Sequence, residues 1–403
     1  MKKKMIAPIV IGILCATNLV YAAGDASGDY AKRLEALEQE VFSQKQETQQ
    51  EKANDLQVHG FFRYRYEWSK TLFNPFTGPD GTPTDRTNYH DTWVLNMVKP
   101  FDKDLYTSFV LMSGAMGGRT ELPNHSPNND VTLAESLVAG KIDSHTEVAA
   151  GRIFVGKVGY GLMTENIPAT SGLRLKYNND KLSFTIYNVR FNDDTLLTGD
   201  VKYKADKDLE LSLAYFNDLN NKNRFAYYAG YTTDPNGMDA YNSKALGFKY
   251  SGIPDIVVTT ELGKNDSAVA QGAKGMYAMA KYKGANPFKK GSNGVWVAYK
   301  RGEKGFDVNN FTSNGNDTPL DAPWNMVSPA GGKIDNCRGW EIGFETTIAP
   351  HVVFTVSYDK MKALKDQQGS IAVGDAGVKM PYGGPVSAGQ DISYLMTSVS
   401  WMF

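Results

Sequence analysis

Residues 391–403 read DISYLMTSVSWMF, and the alternation in this stretch decides the fold. In an extended strand Leu395, Thr397, Val399, Trp401 and Phe403 fall on one face, and Met396, Ser398, Ser400 and Met402 on the other. A face ending in two aromatic rings is too apolar for water, and a soluble protein would be left with a frayed hydrophobic end. The same face suits the lipid boundary of a closed barrel, whose final strand must pair with its first. A buried edge strand of a secreted β-sandwich is the competing reading of these residues taken alone.

The partner is found near the other end of the chain. Leu56, Val58, Gly60, Phe62, Tyr64, Tyr66 and Trp68 alternate with Gln57, His59, Phe61, Arg63, Arg65 and Glu67, which makes a strand longer than soluble sheets usually carry. Weaker alternations follow, such as Leu209, Leu211 and Leu213 against Glu210 and Ser212. Trp340, Ile342 and Phe344 likewise oppose Glu341, Gly343 and Glu345. Long Gly/Asn/Pro-rich stretches near 69–89, 114–130, 155–171, 218–243, 302–337 and 362–390, and shorter ones near 192–198 and 265–274, separate them on one side. Tight turns such as 100–104, 178–180, 205–208, 252–255 and 349–351 separate them on the other. Eight long links and about seven short ones predict an all-β, transmembrane antiparallel barrel of about 16 strands, both ends lying on the short-turn side. Fourteen or eighteen strands stay open, because 131–141 and 276–283 alternate poorly.

Before the barrel, Lys2, Lys3 and Lys4 precede an apolar run from Met5 to Val20, which reads as a signal peptide over residues 1–22. Residues 23–55 form a short arm in which Tyr30, Leu34, Leu37 and Val41 recur at helical spacing; it is expected to be a periplasmic helix or coiled-coil segment, or a solvated tether. The barrel is then assigned to 56–403. Without the leader the chain keeps one cysteine, Cys337, so no internal disulfide is expected.

Composition excludes other classes. Mean hydropathy is negative and no second run approaches eighteen apolar residues, so helical membrane spans are excluded. With aromatics at 12% and 39 glycines, the blend suits aromatic girdles and closely packed strands. The formal charge of −1 becomes −4 once three leader lysines are removed, which argues against nucleic acid as a partner. Five scattered histidines, without His-Glu-x-x-His or Cys-x-x-Cys spacing, support no metal, cofactor or haem site. No Gly-x-Ser-x-Gly elbow is present, so the reading is not an enzyme. His59 would be the residue to test in a barrel hydrolase.

The leader, the arm with Leu34, Leu37 and Val41, the aromatic first strand, Gly151-Arg152 followed by Gly159-Tyr160-Gly161-Leu162, and Phe403 together resemble bacterial outer-membrane porins. The chain is similar in particular to porins with an N-terminal coiled-coil segment, such as the phosphate-selective porins O and P. That resemblance implies a homotrimer of sixteen-stranded barrels in outer-membrane lipid, with an inward-folding third long loop. Here that loop is Val155 to Ser171, carrying Lys157 and Glu165.

A barrel this wide cannot be filled by its own side chains, so inward residues decide what it does. Alternation places Arg63, Arg65, Arg152, Arg174, Lys176 and Lys202 inward on early strands, and Glu210, Glu261, Glu341, Glu345 and Asp359 on later ones. Charges on opposite arcs would set a field across a water-filled pore. The expected lumen residues are therefore Arg63, Arg65, Arg152, Lys157, Glu165, Arg174, Lys176, Glu341 and Glu345, with the three arginines Arg63, Arg65 and Arg152 at the constriction. The expected function is passive diffusion of small hydrophilic solutes and ions with a mild anion preference. A structural or adhesive barrel with an occluded pore is the alternative.

Overall fold

The structure is a computed structural model, and it describes residues 55–70, 86–114, 131–163, 167–168, 171–191, 194–219, 239–307, 336–366, 370–373, 379–383 and 387–403. The expected leader, the helical arm and Glu165 lie outside the described residues.

The chain begins with β1 (Gln57–Lys70), β2 (Arg86–Pro100), β3 (Leu105–Gly114), β4 (Thr132–Lys141) and β5 (Thr146–Arg152). Two short strands, β6 (Phe154–Val155) and β7 (Ile167–Pro168), pair with each other. The wall resumes with β8 (Ser171–Asn178), β9 (Leu182–Phe191), β10 (Asp194–Lys204), β11 (Leu209–Asp218) and β12 (Asn242–Ile253). It continues through β13 (Ile256–Asn265), β14 (Ala273–Lys283), β15 (Asn293–Gly302), β16 (Cys337–Ala349) and β17 (Val352–Ala363). A separate hairpin, β18 (Ser370–Val373) with β19 (Lys379–Gly383), precedes the last wall strand, β20 (Asp391–Met402). The sixteen wall strands pair antiparallel in sequence order, and β20 returns to β1 to close the barrel.

The two strands read first from the sequence form the seam. Their register runs from Phe61 opposite Met402 to Lys70 opposite Ser393. It is completed by Gly60 and Phe403, whose N–H groups each donate to the other's carbonyl at 3.0 Å. The Phe403 ring lies across Gly60 so closely that a Cβ there would meet its Cζ at 2.7 Å and run into the Val94 carbonyl. On β20, Val399 and Trp401 face out and are exposed, whereas Met396, Ser398 and Ser400 face in and are buried. On β1, Val58, Phe62 and Tyr64 face out, and Arg63 and Arg65 face in.

The short links repeat one device. Asp102, Asp143, Asn179 and Asp206 each turn a side-chain oxygen onto the N–H groups two and three residues ahead, at 2.7–3.0 Å. Such Asx turns explain why Asp and Asn mark these positions in the sequence. Two tighter links instead place Asp255 and His351 at positive φ, 62° and 66°.

The two poorly alternating segments are both wall strands, β4 and β14. Their inward faces carry Leu137 and Ala139, and Tyr277 and Met279, all buried in one apolar cluster. With apolar groups on both faces, the period of two fades from the sequence although the strand is intact.

Candidate functional site: the narrowed interior

After Arg152 the chain leaves the wall. The β6–β7 pair, with Phe154 opposite Pro168 and Val155 opposite Ile167, forms a stem, and beyond it Val158 to Met163 are all buried. The local sequence is VGYGL, and its glycines take φ of 61° at Gly159 and 100° at Gly161, so the chain coils tightly. A Cβ on Gly159 would also lie 3.0 Å from that of Ala214 and collide with the Glu261 carboxylate.

This coil turns its N–H groups toward the wall, where two carboxylates receive them. Gly159 N donates to Asp200 Oδ2 at 2.8 Å. Tyr160 N donates to both oxygens of Glu261 at 3.1 and 3.2 Å, and Leu162 N to Glu261 Oε2 at 2.8 Å. The Tyr160 hydroxyl reaches β11, donating to Glu210 at 3.2 Å, and Lys202 lies over the Tyr160 ring at 5.7 Å. Bonds from N–H groups to ionised carboxylates are stronger than neutral ones, and consecutive N–H groups aimed at one anion form a nest. The segment is thereby fastened against β10, β11 and β13, inside the cylinder. The inward fold expected of the third long link is present over these residues.

The expected lumen residues separate into groups. Arg63 and Arg65 are buried on β1, their cross-strand neighbours on β20 being Ser400 and Ser398. Arg174 pairs with Glu147 at 3.0 Å and Glu135 at 3.9 Å, and Lys176 is half-buried two residues along β8. Tyr106 and Ser108 donate to Glu147 and Glu135, so that cluster is held from β3, β4, β5 and β8. Lys157 lies in the inward segment, within electrostatic reach of Glu261. Arg152 differs from the reading made from sequence: it takes the outward alternation of Val148 and Ala150, and its guanidinium donates to the Leu133 carbonyl at 2.6 Å.

Glu341 and Glu345 face inward and are buried, but neither stands as an isolated acid. Lys300 sits between Glu341 and Asp359, 3.0 Å from the latter, with all three side chains fully buried, and Trp296 donates its indole N–H to Glu341. Glu345 pairs with Lys281 at 3.1 Å and accepts from Ala285 N at 2.8 Å, which places it beside the 284–292 turn. Arg174, Lys202, Lys281 and Lys300 are thus each matched by a nearby carboxylate, on early and late strands alike. Sequence reading missed Lys281, Lys300 and Asp200 as inward groups. Lys300 was legible, because Val295, Val297 and Tyr299 set the outward phase of β15.

No family model and no curated protein matches the chain. Solved structures do match. An anion-selective porin from Comamonas acidovorans aligns with 11% identity and a TM-score of 0.50, over 87% of this chain and 99% of that one. OmpT, an outer membrane protein of Vibrio cholerae, in its trimer form, aligns with 12% identity and a TM-score of 0.51 over the same shares. Salmonella typhi OmpF, in complex with daunomycin, aligns with 15% identity and a TM-score of 0.50, over 87% and 98%. At these identities the likeness is one of fold: the chain is a closed β-barrel with the architecture of bacterial porins.

Proposed function

We propose that the protein is an outer-membrane channel through which small hydrophilic solutes and ions diffuse passively. The observation that carries this reading is the segment 158–163, folded into the cylinder and fastened to Asp200 and Glu261 on one side. The arc of β17, β20 and β1 meanwhile turns Thr355, Ser357, Ser398, Ser400, Arg63 and Arg65 inward. Polar inward positions across from a narrowing segment are what a water-filled restriction requires. Arg63 and Arg65 on that polar side favour anions, in keeping with the selectivity stated for the Comamonas porin. The trimer form of the Vibrio protein supports a homotrimer here.

Refolded protein in planar bilayers should give discrete conductance steps with a reversal potential on the anion side. Changing Arg63→Glu and Arg65→Glu together should move that potential toward cations. An unchanged potential would remove the two arginines from the restriction. The apolar cluster between the inward segment and β10 to β14 is what an occluded structural or adhesive barrel would extend across the lumen. Liposomes that fail to swell in small sugars would favour that second reading.

A further inference from the structure

On the outside of the wall, near the long-link end, the register sets cations against cations. Lys244 of β12 lies opposite Lys264 of β13, and Lys264 opposite Lys274 of β14. Further round, Arg301 of β15 lies opposite Arg338 of β16, and Arg338 opposite Lys362 of β17. All six are exposed and share the outward phase of Leu246, Leu262 and Trp340. Like charges directly opposite in a ladder are destabilising, so four such matches, in two runs of three strands each, call for a counter-charge.

The described carboxylates supply part of it. Asp266 pairs with Lys264, Glu303 with Arg301 at 3.0 Å, and Asp391 with Lys362 at 3.6 Å. Among the described residues, no carboxylate lies within ion-pair distance of the charged heads of Lys244, Lys274 or Arg338. The turn end differs: Lys103, Lys207 and Lys283 each lie 3.8 Å from an aspartate, Asp104, Asp208 and Asp255. The belt also has a definite depth. Tyr299 and Trp340, their rings edge to face at 5.0 Å, sit two residues inside Arg301 and Arg338 along their strands. Aromatic pairs of this kind mark the membrane interface, so the cations beyond them stand at headgroup level.

We propose that this belt docks phosphorylated lipid headgroups of the leaflet at the long-link end, with phosphates bridging neighbouring strands. Arginine offers a phosphate two parallel N–H bonds, and lysine offers a mobile point charge. The inference rests on the barrel spanning a membrane with its long links outward, and not on its conducting.

The test uses the full chain refolded into phosphatidylcholine vesicles carrying bisphosphorylated lipid A. It is compared with a Lys244→Gln/Lys274→Gln/Arg338→Gln variant whose folding is checked by heat-modifiable migration. After extraction in mild detergent, wild type should retain roughly tenfold more of this lipid than the variant, and monophosphorylated lipid A should be retained less. Excess inorganic phosphate should not displace it, and the conductance of the two proteins should agree. Equal retention by wild type and variant overturns the proposal. So does release by inorganic phosphate, which would make the belt a site for free anions. A difference in retention without any conductance would leave this proposal standing and sink the channel reading instead.

Discussion

The arc of wall from β10 to β14 and the arc formed by β17, β20 and β1 are built from strands of similar length in one closed sheet, yet their inward faces are filled differently. The first carries Phe216, Ala245, Tyr277 and Met279, packed in an apolar cluster with Val158 and Leu162 of the inward segment. The second carries buried Thr355, Ser357, Ser398, Ser400, Arg63 and Arg65 toward the short-turn end, and a separate apolar cluster of Met361, Ala363, Ile392, Tyr394 and Met396 toward the long-link end. What fills the cylinder, and not the sheet itself, decides inward polarity. Where the chain folds back inside, the wall is apolar around the two carboxylates that hold the segment; across from it the middle of the wall is polar.

The largest test of this contrast lies at the border of the two arcs. Changing Lys300→Met leaves Glu341 and Asp359 buried beside each other without their cation, and should cost about 3–5 kcal/mol, read as a lower denaturant midpoint in detergent. Adding Glu341→Gln and Asp359→Asn should recover most of it. A single variant as stable as wild type would mean that water reaches this cluster, and the border would then be open to the lumen.

Next comes the fastening of the packed arc. Glu261→Ala strips two backbone N–H groups of their acceptor and should loosen the inward segment by about 2–4 kcal/mol. Single-channel steps should become larger and noisier. Steps of unchanged size would show that Asp200 and the β6–β7 stem suffice. At the seam, Gly60→Val should keep Phe403 from seating and cost about 1–3 kcal/mol, seen as a smaller heat-modifiable fraction on refolding.

The smallest effect is expected outside both arcs, in the 142–145 turn. The His145 N–H, and then the Thr146 hydroxyl and N–H, hold the Asp143 carboxyl below its ordinary value. Ionised Asp143 therefore stabilises the turn above the unfolded carboxylate range, and that contribution fades as pH falls through its lowered value. Asp143→Ala should flatten the acid limb of the stability profile slightly and leave neutral pH behaviour of the channel unchanged.

The same contrast explains what could be read in advance. β1, β16 and β20 were plain because lipid lies on one face and polar groups on the other. β4 and β14 were obscure because both of their faces are apolar, and a period of two carries no signal when every residue is oily. The Asx turns were visible as Asp and Asn at chain reversals. The pairing of Glu341 and Asp359 with Lys300 was hidden, since partners on three neighbouring strands are brought together only by register. Arg152 was misplaced because no outward apolar run fixes the phase at the end of β5.

The seam between β1 and β20 joins segments that stand farthest apart in the barrel sequence, whereas the Asx hairpins close over a handful of residues. Short-range reversals order early and distant pairings late, since loop entropy must be overcome first. An assembling chain therefore spends time as an open, curling sheet with two long bare edges, each able to capture a stranger's strand. The meeting of Phe403 with Gly60 is thus a deadline as well as a contact: until it is made, the molecule is a template for aggregation.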